Sequence, residues 1–390
     1  MTSGHYDVVV AGASFAGLVV ATSVGGRVAL IDKGEVGEGQ TSACGTTLDV
    51  VQKLGLEASI EEVHEWAVMH TRRGAHRFRL PYPFCTFDYR RFCRLLLERF
   101  SGDLIRASAL GVERGAVATD QGPVAGRVLV DATGWRAVLA RSVEPDFPAQ
   151  AEITYGLEKA ARGFDGEGLH FWFDSKVRGD GYGWSFPAGP VARAGVLSYI
   201  APDGVKDSTE VFLAREGMAG SHYHGGFLTA GLRPATAGDV FLVGDAAGHC
   251  LPLTGEGIRP AVFFAQRLAG IIDQHLSGAI SLPLALDVYR AQQAQYRRPY
   301  WFLRQAQTVL RGWPDPPVGT YLAAFSRGFM YSWVCRKYWE VAAPILRAAG
   351  APAGDVSLRP SAEGGTAPDA APAADVAHKV AGRDRLEVPA

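Results

Sequence analysis

Tyr6-Asp-Val-Val-Val-Ala11-Gly12-Ala-Ser14-Phe-Ala-Gly17, an apolar run on to Ser23, and then Val28-Ala-Leu-Ile-Asp32 form the stretch on which the fold turns. A short apolar strand, a glycine turn, an apolar helix from Phe15 to Ser23 and a second buried strand predict a βαβ unit. Gly12 makes the tight turn and Gly17 lets helix and sheet pack closely. The helix N-terminus between them aims its amides at a pyrophosphate. Asp32 ends the second strand twenty residues after Gly12, where a carboxylate accepts from ribose hydroxyls and disfavours a 2′-phosphate. Ser14 replaces the middle glycine of this pattern. Its Cβ crowds a phosphate, whereas its hydroxyl can donate to one.

The 390 residues are 47% hydrophobic, enough for two to three domains with large cores. Glycine is in excess, at 47 residues against an ordinary share of about 7%, which calls for turns and close backbone approaches. Lys plus Arg number 39 and Asp plus Glu 40, a net charge of −1, so there is no basic footprint for nucleic acid. The five cysteines (Cys44, Cys85, Cys93, Cys250, Cys335) make no C-x-x-C pair and fit a reducing, cytoplasmic setting. No apolar run reaches the ~18 residues of a membrane span.

Between residues 146 and 237, runs such as Leu169-His-Phe-Trp-Phe-Asp174 and Gly195-Val-Leu-Ser-Tyr-Ile200 read as antiparallel strands of an inserted sheet. A buried strand returns at Val240-Phe-Leu-Val243, followed by a glycine-rich loop and a helix from about Gly257 to Gln274. The expected organisation is therefore α/β. A dinucleotide-binding domain spans 1–145 and 238–282, with 65–87 as candidate strands of the second domain. An antiparallel-sheet substrate domain covers 146–237, helices cover 283–350, and a tail covers 351–390. That tail holds eleven alanines, five prolines, four glycines and no aromatic residue, so it is expected to be disordered.

The most specific run is Asp239-Val-Phe-Leu-Val-Gly244-Asp245-Ala-Ala-Gly248-His-Cys-Leu-Pro252-Leu-Thr-Gly255-Glu256-Gly257-Ile258. Asp245 closes a strand and can accept from ribityl or ribose hydroxyls. The amides near Gly255 to Ile258 point a positive helix end at the space beyond, which suits charge developing on a reduced flavin.

These residues resemble the FAD-dependent oxidoreductases of the p-hydroxybenzoate hydroxylase fold, and within them the geranylgeranyl reductase family. Gly-Asp-Ala-Ala-Gly followed by Pro-Leu-Thr-Gly-Glu-Gly-Ile is similar to that family's flavin loop. Leu129-Val-Asp131-Ala-Thr-Gly134-Trp-Arg136 resembles its Asp-Gly motif, and Thr41-Ser-Ala-Cys44-Gly45 its Cys-Gly beside the isoalloxazine. Tyr182-Gly-Trp184-Ser-Phe186-Pro187, with Gly195 after seven residues, is similar to the signature that shapes the lipid cavity, Leu197 replacing its last glycine. On spacing alone, aromatics at i and i+2 suit a cavity wall or a plain core equally. Asp88-Tyr89-Arg90-Arg91-Phe92-Cys93 departs from the family pattern, because Tyr89 stands where an arginine near FAD is expected. Arg90 and Arg91 are the candidate substitutes.

The resemblance implies a Rossmann-like FAD-binding domain interleaved with an antiparallel substrate sheet, plus C-terminal helices. It also implies hydride transfer from reduced flavin to C=C bonds of an isoprenoid or other long apolar substrate. A monooxygenase of the same fold and a non-catalytic lipid-binding flavoprotein are the alternatives. FAD is expected along Gly12, Ser14, Phe15, Ala16 and Gly17, then Asp32 and Lys33, then Cys44 and Gly45. Asp131, Gly134, Gly244, Asp245, Pro252, Gly255, Glu256, Gly257 and Ile258 complete that set. Cys44, Tyr182 and Trp184 are the catalytic candidates; His249 is a further candidate proton source, for which packing and hydrogen bonding to backbone is the favoured reading. NADPH or NADH is the candidate electron donor, without a Rossmann turn of its own. No spacing of His and Cys suggests a metal, and no G-x-S-x-G supports a hydrolase. Aromatic and arginine-rich segments at Tyr296–Phe302 and Tyr331–Trp339 suit either a helical cap or peripheral membrane contact.

Overall fold

The computed structural model describes residues 5–148 and 153–312. Strands and helices are numbered in chain order. β1 (Tyr6–Ala11), α1 (Phe15–Ser23) and β2 (Val28–Asp32) form the expected βαβ unit. β1 and β2 pair in parallel from Val8 with Val28 to Ala11 with Ile31. β6 (Asp103–Arg106) lies beyond β2. On the other side of β1 stand β9 (Val124–Asp131), β16 (Val240–Leu242) and β15 (Thr236–Ala237). A hairpin of β7 (Ala109–Glu113) and β8 (Ala116–Thr119) leans on β9. The chain thus runs outward from β1 in one direction and returns on the other. The reversal leaves a crevice beyond the carboxyl ends of β1 and β9, where open parallel sheets hold their ligands.

Alternation along β1 sends side chains to two cores. Val8 and Val10 pack with Leu18, Phe92 and Phe264 under α1, α3 (Tyr89–Leu97), α6 (Ile258–Leu276) and α7 (Leu282–Ala294). Val9 and Ala11 pack with Leu139 and Leu242 under α4 (Val138–Val143).

The second sheet runs β14 (Tyr223–Thr229), β10 (Ile153–Ala161), β13 (Val191–Ser198), β12 (Gly181–Ala188), β11 (Leu169–Phe173), β4 (Ile60–Thr71), β5 (Gly74–Phe87), β3 (Gly45–Thr47). Its pairs are antiparallel except β11 with β4, which is parallel. The long β4–β5 hairpin and β3 come from the first part of the chain and join strands of the middle part, so this junction carries the parallel pair. After β3 the chain enters α2 (Leu48–Lys53). The β4–β5 register jumps between His64↔Phe84 and Trp66↔Arg79. Pro81 and Pro83 fall in that gap, where a residue without N–H costs no ladder bond. α5 (Val205–Arg215) covers the outer face, packing Phe212 and Leu213 on Trp172 and Val196. The inner face turns toward the first sheet.

α7 and α8 (Arg297–Gly312) cap the glycine loop. Tyr289 Oη donates to the Leu242 carbonyl at 2.9 Å, and Tyr300 Oη to the His249 carbonyl at 2.6 Å. Trp301 and Phe302 of α8 remain exposed. No helix among the described residues is long and apolar enough to cross a membrane. The segment Tyr331–Trp339 and the expected tail at 351–390 lie outside the described residues.

Candidate active site

A cavity of about 1430 Å³ runs from the β1 turn to the inner face of the second sheet. Typical small-molecule sites span roughly 300–1,000 Å³, so there is room for a dinucleotide with a second molecule beside it. At one end lie Gly12, Ser14, Phe15, Ala16 and Gly17, with Asp32 and Lys33 alongside. A Cβ on Gly12 would stand 2.2 Å from the Ala132 carbonyl oxygen, and one on Gly17 1.8 Å from the Gly12 carbonyl oxygen. Both glycines are therefore required by backbone contacts. No side chain caps the N-terminus of α1, which leaves first-turn amides for a ligand. Asp32 braces the turn, accepting from Ala13 N at 2.7 Å and Gly34 N at 2.9 Å. Its carboxylate has capacity for further donors.

The two departures from the family pattern meet here: Tyr89 Oη donates to Ser14 Oγ at 3.3 Å. Phe15 packs edge-on against Tyr89, Phe87 and Phe92. Arg90 reaches outward to Glu38 at 2.7 Å, and neither Arg90 nor Arg91 lines the cavity. Lys33 and Arg136 do, the latter stacked over Trp135.

In the loop after β16, Gly244, Asp245, Gly255, Glu256, Gly257 and Ile258 line the cavity. Burial raises the Asp245 carboxyl to about 6, against a backbone hydrogen bond with Thr229 and the charge of Arg233. Glu256 spends its charge on Arg259, at 2.6 and 2.5 Å in a buried pair, so it offers the cavity backbone. The N-terminus of α6 carries no side-chain cap. Tyr182 of β12 and Tyr199, just past the end of β13, tie down this loop: Tyr182 Oη donates to the Thr254 carbonyl at 2.6 Å, and Tyr199 Oη to that of Leu253 at 2.7 Å.

The opposite wall follows from strand register. Tyr182, Trp184 and Phe186 of β12 share a face with Phe171 of β11, Leu197 of β13 and Met69 of β4, and all line the cavity. Of the two readings the spacing allowed, these aromatics form a cavity wall. Gly134 and Gly45 border it as well.

Three expectations require correction. Cys44 does not line the cavity. Its backbone is left-handed (φ 52°), its thiol is fully buried among core residues and bonds to the Ser42 carbonyl, and burial pushes that thiol far up from its ordinary range. Such a thiol is unreactive. Asp131 is also fully buried, accepting from Thr133 N at 3.0 Å, Thr133 Oγ1 at 2.6 Å and Ala140 N at 2.9 Å, so it shapes the turn from behind. Pro252 is buried away from the cavity. His249 takes the packing role favoured for it in the sequence: Nδ1 accepts from Gly244 N at 3.1 Å, the ring stacks on Phe264 at 3.9 Å, and burial lowers its pKa to about 3.

One ionisable residue missed in the sequence stands in the aromatic wall. Glu158 of β10 is 2% exposed and lines the cavity. Trp184 Nε1 donates to its Oε2 at 3.2 Å and Gln40 Nε2 to its Oε1 at 3.3 Å. Burial raises its carboxyl to about 7, opposed by Arg193 and these two donors. No cluster of three or more His, Cys, Asp or Glu among the described residues is placed to hold a metal ion.

No protein-family model matches the chain. A geranylgeranyl bacteriochlorophyll reductase-like protein from Thermoplasma acidophilum superposes with a TM-score of 0.77 at 19% identity, over 86% of this chain and 96% of that one. An anhydrotetracycline hydroxylase from Streptomyces rimosus gives 0.63 at 21% identity, over 90% and 78%. A flavin-dependent brominase gives 0.60 at 17% identity, over 86% and 100%. The α/β fold expected from the sequence is the fold these structures share.

Proposed function

We propose that the protein is an FAD-dependent oxidoreductase that reduces carbon-carbon double bonds in an isoprenoid or other long apolar substrate. The observation carrying this reading is the continuity of one cavity between a dinucleotide turn and an aromatic, aliphatic wall. Gly12, Gly17, Asp32, Asp245 and the N-terminus of α6 would hold FAD, because they offer a phosphate cradle, hydroxyl acceptors and a positive helix end. Bound and reduced, FAD supplies a hydride. The protein's part is to seat the chain of the substrate against Tyr182, Trp184, Phe186, Phe171 and Leu197, and to exclude water from the reacting carbons. NADPH or NADH is the proposed electron donor, with cytoplasmic location and peripheral membrane contact through Trp301 and Phe302 as further parts of the reading.

Purification without added cofactor tests the first half. The protein is expected to carry flavin absorbance, or to gain it on adding FAD, and Asp245→Ala to bind FAD at least about tenfold more weakly. Protein that takes up no FAD contradicts the proposal. Hydroxylated product in air, with the alkene intact, would assign the site to the monooxygenase alternative.

A further inference from the structure

Strand pairing lays out a row across the inner face of the second sheet: His224, Glu158, Gly195, Trp184, Phe171, Met69 and His76. Glu158 is the carboxylate of this row. Its place depends on Gly195, since a Cβ there would stand 2.7 Å from both Cα and Cβ of Glu158. The glycine of the Tyr-x-Trp-x-Phe-Pro signature thus makes room for an acid on the neighbouring strand, and the tryptophan of the same signature holds that acid by hydrogen bond.

Position matters as much as contact. Leu197, one pleat along β13 from Gly195, faces Gly255, where a Cβ would lie 3.2 Å from Leu197 Cδ1. Glu158 is therefore about 7 Å along the strands from the junction of sheet and cofactor loop. His76, the other cavity-lining ionisable group of the row, stands five strands away, about 24 Å at ~4.8 Å per strand. The remaining protons of the wall are committed: Tyr182 donates to Thr254, and Trp184 to Glu158 itself.

We propose that Glu158 is the general acid of this site, giving the proton that completes reduction of the double bond; the assignment rests on the reductase reading above. In the step, the π pair of the alkene takes the Glu158 proton, the O–H bond breaks and a C–H bond forms at one carbon. A hydride from reduced flavin forms the second C–H bond, so the flavin is oxidised by two electrons and the alkene reduced by two. Glu158 is left as a carboxylate and regains its proton from solvent.

The surroundings suit that cycle. A carboxyl at about 7 holds its proton for roughly half of the molecules at neutral pH, near the optimum for an acid catalyst. Arg193 on β13 faces it, but ion-pairs with Glu61 of β4 at 2.9 Å. His224 on β14 is opposite and burial lowers its pKa. Cys44 stays a neutral thiol.

Glu158→Gln and Glu158→Asp, compared with wild type as FAD-loaded protein, test the assignment with geranylgeraniol as probe. FAD binding and the dithionite-reduced flavin spectrum are expected to be unchanged in Glu158→Gln, which establishes folding. Infrared difference spectra of wild type should show a protonated carboxyl band that disappears as pH rises through about 7 and is absent in Glu158→Gln. Anaerobic single turnover should slow by about 10²- to 10⁴-fold in Glu158→Gln and recover in part in Glu158→Asp. Its fall with rising pH should vanish in Glu158→Gln. A Glu158→Gln variant within about threefold of wild type, or one that keeps the wild-type pH profile, overturns the acid role alone. A wild type that binds FAD but yields no reduced probe overturns the reductase reading and the acid with it, and does so before any variant is made.

Discussion

Gly12 and Gly134 both border the cavity and both have left-handed backbones, at φ 106° and 74°, yet replacing them with alanine should have unequal consequences. The left-handed region costs an L-residue roughly 1–2 kcal/mol, and this term applies to both. At Gly134 nothing lies within 4 Å of the new Cβ. At Gly12 the Cβ would stand 2.2 Å from the Ala132 carbonyl oxygen and 2.6 Å from its carbon, far inside ordinary contact of about 3.5 Å. Relief requires β1 and β9 to separate by about 1 Å, although they pair from Tyr6↔Gly126 to Ala11↔Asp131. Overpacking of this kind costs about 1–3 kcal/mol. Reduced freedom of the unfolded chain returns up to about 1 kcal/mol to each variant, so it cancels in the comparison. Gly12→Ala should therefore be less stable than Gly134→Ala by about 1–3 kcal/mol in urea unfolding. Equal midpoints, or a more stable Gly12→Ala, would refute the close approach of the turn to Ala132.

Three other outcomes concern polar side chains. His249, lowered to about 3 by burial from an unfolded value near 6.5, binds fewer protons folded than unfolded between those values. Its contribution is complete above pH ~6.5 and is lost as pH falls toward 3, by at most about 5 kcal/mol; the slope of stability against pH should flatten in His249→Gln. Arg259→Met removes the ion-pair partner of the buried Glu256 carboxylate at 2.5 Å and should cost about 3–5 kcal/mol, with most of the loss recovered in the double variant that adds Glu256→Gln; an undiminished loss in the double variant would show that charge is not the cause. A double-mutant cycle of Ser14→Gly and Tyr89→Phe should give a coupling of about 0.5–1.5 kcal/mol, and zero coupling in chemical denaturation would show that the two departures are independent.

The geometry of the glycine turn was legible because Gly12, Gly17 and Asp32 act through neighbours in one local unit, so their spacing carries it. The run from Asp239 to Ile258 is local in the same sense. Glu158 was not legible: its role depends on the register of β10 against β13 and on contacts with Trp184 and Gln40, which are distant in sequence. The available signal was an acid in phase with the inward positions of Ile153–Ala161. Cys44 misled for a related reason, since a Cys-Gly pair does not reveal which side of a left-handed turn the thiol takes. Ser14 and Tyr89 read as separate anomalies until the fold brought them into contact. The parallel pairing of β11 with β4 was hidden because it joins segments about 100 residues apart.

Anaerobic incubation of dithionite-reduced, FAD-loaded protein with geranylgeraniol, followed by mass spectrometry, tests most directly whether one cavity brings a reduced flavin against an apolar alkene. A product that has gained two hydrogens per reduced double bond, with one flavin reoxidised for each, is the predicted result. Flavin that stays reduced beside unchanged alkene would contradict it.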